Sequence, residues 1–193
     1  MTVPVLIAAL VFAPLPWRAT VHAFAPEGPA DPGDRAYGTS ARLRPQGSRV
    51  EFWLREARQR SPTVQRLVER IEQSDVIVYL DISRNLSPNV AACLTWMAGT
   101  ASRRIVRASF RPDLGASEAI AMLAHELQHV IEVIDHPEVR STQTLLDLYR
   151  RIGHPTGNNG LRWDTADAVA LGTLARLEVT NGFRPGGEVR KGT

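Results

Sequence analysis

From about Ser48 the apolar positions recur at helical spacing. Val50, Trp53, Leu54 and Ala57 share one face of a segment that ends near Arg60. Ser61 followed by Pro62 is a helix start, because Ser caps and Pro fits a first turn whose N–H has no partner. Val64, Leu67, Val68 and Ile71 carry that second helix to about Gln73. The period then shortens. Asp75–Ile82, Ala91–Met97 and Arg103–Phe110 are runs rich in β-branched or aromatic residues, separated by Ser87-Pro88-Asn89 and Gly99-Thr100. Short connections predict an antiparallel sheet, with the arginine-bearing third strand (Arg103, Arg104, Arg107, then Arg111) near an edge.

Helical spacing returns at Ala116 and lasts to about Asp135, before Pro137. Ile120, Leu123, Ala124, Leu127, Ile131 and Ile134 form one apolar stripe there. Two more helices are predicted, Val139–Ile152 and Asp164–Val179, stopped by Gly153 and by Asn181-Gly182. Helices, three strands and further helices make an α+β domain over residues 48–183. Residues 184–193 read as a flexible tail, and residues 26–47, dense in Pro and Gly, as a linker or arm.

Composition narrows the function classes. The chain has 193 residues, 44% hydrophobic and 22% charged, which suits one globular domain. The net charge is +3, and Lys191 is the only lysine. The arginines alternate with glutamates, as in Arg55, Glu56, Arg58 and Arg66, Glu69, Arg70, Glu72. That is a solvated helix face and argues against nucleic-acid binding, which clusters one sign. The apolar run Val3–Leu15 is too short and too broken by proline to span a bilayer. Residues 1–25 read instead as a signal peptide cut after Ala23 or Ala25, so export to a periplasm or the medium is expected. The single cysteine, Cys93, lies in an apolar stretch and is expected as a buried thiol.

The chemistry is concentrated in His125-Glu126-Leu127-Gln128-His129, at the centre of the third predicted helix. Histidines four apart on a helix point the same way and can grip one zinc ion. A glutamate between them can take a proton from water that the zinc activates. Both histidines lie opposite the apolar stripe, with Glu118, Met122 and Glu132 on their side. A third ligand is needed. At 1.5 Å rise per residue Glu132 must reach back about a turn, and reads better as a partner of an imidazole than as a ligand. Asp164, opening a later helix, can meet both histidines across a cleft, with Asp167 orienting an imidazole. An N-cap role explains Asp164 equally well. His136 and His154 are weaker candidates.

With these residues in place, the stretch from about Asp75 to Val179 resembles the zincin metallopeptidases in their Glu-zincin (gluzincin) arrangement. The resemblance implies a zincin-like fold with His125, His129 and Asp164 as zinc ligands, Glu126 as general base and Asp167 as companion to the third ligand. It implies zinc-dependent hydrolysis of peptide bonds in a peptide or protein substrate held along an edge strand, for which Arg103–Phe110 is the candidate. The usual third ligand in that arrangement is Glu, and this chain offers Asp. In other zincins a ligand stands where Asp135 does, after a glycine that lets the chain turn; Glu132 holds that glycine's place. Tyr149, Arg151 and His154 are the residues considered for an oxyanion donor. The alternative is a zincin-like domain that binds metal or a partner without turnover, or a helical interaction module without metal.

Overall fold

A computed structural model describes residues 41–156 and 162–181. The expected signal peptide, most of the arm and the C-terminal tail lie outside the described residues. Eleven elements follow one another: β1 (Leu43–Pro45), α1 (Ser48–Arg60), α2 (Pro62–Glu72), β2 (Val76–Ile82), β3 (Ala92–Gly99), β4 (Arg104–Phe110), α3 (Ala116–Asp135), α4 (Thr142–Ile152), β5 (His154–Thr156), β6 (Arg162–Asp164) and α5 (Ala166–Thr180). The fold is α+β, as the sequence predicts.

The sheet differs from expectation in two ways. It is mixed rather than antiparallel, in the order β1-β2-β4-β3. β2 runs parallel to both β1 and β4, and only β3 is antiparallel. The described residues therefore include a strand, β1, inside the expected arm, where Leu43 is buried against the core. β1 and β2 are joined through α1 and α2, the helical crossover that parallel strands require. The second correction concerns β4. It is an interior strand, paired on both sides, and the edges are β1 and β3. Residues 83–91 let the chain step over one strand position before β3 turns tightly back into β4.

The pleat explains the arginines. Val76, Val78 and Leu80 of β2, Leu94 of β3, and Val106, Ala108 and Phe110 of β4 share the core with the helices. Arg107 points to the opposite face, 3.6 Å from Asp81. Arg104 shares the core parity and is 2% exposed. Its guanidinium grips Asp75 at 2.6 and 2.8 Å and donates to the carbonyls of Val133, Ile134 and His136. Those carbonyls lie at and just beyond the C-terminal end of α3, where positive charge is favoured by the helix dipole; Val133 and His136 also accept from the backbone N–H groups of His136 and Val139. Arg111 pairs with Asp113 beyond the strand. One strand thus sends its arginines to separate destinations, none of them a bare edge.

The stripe of α3 is buried as predicted, with Ile120, Leu123, Ala124, Leu127 and Ile131 in the core. Each large apolar side chain there contributes about 1.5–3 kcal/mol relative to exposure. Ser61 caps α2 by accepting from the Val64 N–H at 3.1 Å. Ser141 and Thr144 form a capping box that starts α4 three residues after the expected Val139. Cys93 is a buried free thiol, its pKa raised by burial. No helix among the described residues is long and apolar enough to cross a membrane.

Arg104→Ala is expected to destabilise the fold by about 3 kcal/mol, because it leaves Asp75 without its partner and removes the side-chain donors at the end of α3; denaturant unfolding measures this. The hydrogen bonds from Arg104 hold Asp75 below its ordinary value of 3.8, against the opposing effect of burial. A depressed carboxyl stabilises the fold fully above its unfolded value and loses that contribution as pH falls through the folded one. The stability difference between wild type and Asp75→Asn should therefore be full at neutral pH and shrink below about pH 4.

Candidate metal centre

The second face of α3 is not open to solvent. His125, Glu126, His129 and Glu132 are exposed by only 8%, 1%, 0% and 8%. α5 covers them, and the close approach depends on Gly172. A Cβ there would stand 3.0 Å from the Ala121 carbonyl oxygen and 3.3 Å from the His125 Cβ. Glycine in a helix interior is unfavourable by itself, and here it lets two backbones meet.

Asp164 lies where α5 begins, though not as the sequence predicts. It is the last residue of β6, and Thr165 is the N-cap, accepting from the Ala168 N–H at 3.2 Å. The capping role proposed for Asp164 therefore belongs to its neighbour, and the Asp164 carboxylate is turned inward. Its Oδ1 accepts from the Thr165 N–H at 2.7 Å and stands 3.3 Å from His125 Nε2 and 3.6 Å from His129 Nε2. The three ligand atoms lie within 4.8 Å of one another. His125, His129 and Asp164 form a group that can hold a metal ion.

Glu132 supports this group. Its Oε2 meets His129 Nδ1 at 2.8 Å, and its Oε1 accepts from the Thr165 hydroxyl at 2.6 Å. With Nδ1 committed to Glu132, His129 presents Nε2 toward Asp164. Tyr149 packs edge-on against His129 and donates to the His129 carbonyl at 3.2 Å. The orienting function expected of Asp167 is therefore filled by Glu132, and Asp167 is exposed on α5. Thr165 and Gly172 were not singled out from sequence. The signals were a threonine before an apolar run and a glycine inside one.

The other candidates lie elsewhere. Asp135 pairs with Arg70 at the far end of α3, and His136 sits beside Glu138 and Arg151. His154 is exposed on β5. Tyr149 is fully buried behind His129, and Arg151 pairs with Glu138. None of the three residues considered as oxyanion donors lines the cleft that opens on the group.

That cleft has a volume of about 580 Å³ and reaches His125, Glu126 and Asp164. Burial shifts the titration of its inner wall. It lowers His125 to about 4, helped by the neighbouring His129, so this imidazole is neutral at pH 7 with a lone pair available. Burial raises Glu126 to about 8. For His129 burial opposes a charge, but the hydrogen bond to Glu132 and the nearby carboxylates outweigh it and raise the pKa. His129 Nε2 and Glu126 Oε2 are buried without a hydrogen-bond partner. Two imidazole nitrogens, one carboxylate oxygen and unsatisfied buried polar atoms are what a divalent, nitrogen-tolerant cation would satisfy.

No protein-family model, curated protein or solved structure matches the chain. The geometry carries the functional reading alone.

Glu132→Ala is expected to weaken binding of a divalent metal about 10- to 100-fold, read by competition with a chromophoric chelator. Asp135→Ala, at the other end of the helix, should leave that affinity unchanged.

Proposed function

We propose that this chain is a zinc-dependent peptidase with a zincin-like site in the Glu-zincin arrangement, in which Asp164 takes the place of the usual glutamate. The supporting observation is the convergence of His125 Nε2, His129 Nε2 and Asp164 Oδ1, with His125, Asp164 and Glu126 on the wall of a cleft. The donor set fits zinc, which takes imidazole and carboxylate in sites that leave a position open. A bound zinc ion would supply Lewis acidity, polarising a scissile carbonyl and making water more acidic.

The remaining steps belong to the protein's own groups. In this reading Glu126 takes a proton from the attacking water and returns it to the leaving amine. It lies between the two histidines in sequence and lines the cleft. Asp164 and the two imidazoles would hold the metal, and Glu132 fixes the orientation of His129. Substrate enters from the cleft, where Ala91 and Ala92 at the start of β3 form part of the wall. β3 is the edge strand next to the site, so it replaces β4 as the strand against which an extended peptide would lie. Export after removal of residues 1–25 belongs to the same reading, since an apolar leader precedes the domain.

The purified protein should contain about one zinc per chain. Glu126→Gln should retain the metal and lose peptide hydrolysis by at least about 100-fold, whereas Asp164→Ala should lose the metal. Elemental analysis beside a peptide-cleavage assay checks both. A wild type that takes up no zinc even on reconstitution would overturn the proposal.

A further inference from the structure

The cleft has a charged wall that the hydrolytic reading leaves unused. Arg162, which opens β6, and Arg176, on α5, both line it. Neither is in an ion pair among the described residues. Arg162 Nε is buried without a hydrogen-bond partner, and Nη1 makes only a long contact of 3.4 Å with the Asn89 carbonyl. A guanidinium N–H removed from water without an acceptor is unfavourable until something supplies one. Arg176 lies one helical turn, about 6 Å along the axis, beyond Gly172, the residue that packs on His125. Among the described residues the acids that line the cleft are Glu126 and Asp164, and Asp164 Oδ1, two residues along β6 from Arg162, stands 3.3 and 3.6 Å from the Nε2 atoms of His125 and His129.

We propose that Arg162 and Arg176 form a carboxylate-binding subsite, so that the preferred substrate is a peptide with a negative charge close to the cleaved bond. This rests on the hydrolytic reading above. A guanidinium pairs with a carboxylate through two parallel N–H···O bonds, a geometry that lysine or an amide cannot supply. Inside a cleft the attraction is less screened than on an open surface. The carboxylate has two sources in a peptide, an Asp or Glu side chain or the free C-terminus.

Three peptide types separate these sources: end-blocked peptides with Gln, the same peptides with Glu stepped through each position, and Gln peptides with a free C-terminal carboxylate. Cleavage is measured with zinc-loaded wild type, and binding by fluorescence anisotropy with zinc-loaded Glu126→Gln. At one position the carboxylate should raise kcat/KM and tighten binding about tenfold, and the responding arm identifies the source. Arg176→Gln, at an exposed position, should reduce that ratio, and the double variant Arg162→Gln/Arg176→Gln should bring it close to one. Circular dichroism checks the fold, and the single variant suffices if the double does not fold. Equal cleavage and binding of neutral and anionic peptides would overturn the subsite while leaving the peptidase reading intact. Carboxylate-selective binding without turnover would uphold the subsite and overturn the peptidase reading. Neither binding nor turnover of any peptide would overturn both.

Discussion

One buried carboxylate joins the parts of this structure that matter most. Glu132 accepts from the Thr165 hydroxyl at the start of α5 and meets His129 Nδ1 on its own helix, while the Tyr149 hydroxyl from α4 bonds the His129 carbonyl beside it. A carboxylate so deeply buried is tolerable only when its oxygens are engaged. Its partners are therefore held as firmly as it is. Because Thr165 directly follows Asp164, the same contact that orients His129 also delivers Asp164 to it. Breaking the Glu132 contact loosens His129 and Asp164 at once.

Placing this polar cluster between helices requires close packing around it. The apolar stripe of α3 is held in the core shared by the sheet, α1 and α2, and the opposite face by α5, which approaches through Gly172. The far end of α3 is anchored by Arg104 from the centre of the sheet. Helix α3 is thus fixed at its C-terminus by a strand and along its length by a helix. That rigidity suits a site whose ligands must remain in place with or without an ion.

Much of this was legible in the residues, and the exceptions have physical causes. The limits of α3 were readable because an uninterrupted helical period ends just before Pro137. Ser61-Pro62 announced α2 through capping chemistry alone. Glu132 could be read as an imidazole partner because helix rise places it beyond His129. The sheet was less readable. Charge on β4 suggested an edge, yet the destinations of Arg104 and Arg107 are tertiary contacts, in the core and on Asp81, that a local pattern does not encode. β1 spans only Leu43–Pro45, too short to show a period, and its parallel pairing depends on two helices folding between the strands. Asp164 was found as a residue but misplaced in its element, since an aspartate and a threonine side by side compete for one cap. Arg162 and Arg176 were unremarkable in sequence, and only the cleft brings them to the histidines' neighbourhood.

The account depends on a single claim about geometry, that His125, His129 and Asp164 share one metal ion. Diffraction from crystals of the zinc-loaded protein, recorded on both sides of the zinc absorption edge, tests it most directly. The account predicts one strong anomalous peak about 2.0–2.2 Å from His125 Nε2, His129 Nε2 and an Asp164 carboxylate oxygen, with Glu132 still on His129 Nδ1. A peak bound by other residues, or one with Asp164 turned away, would contradict it.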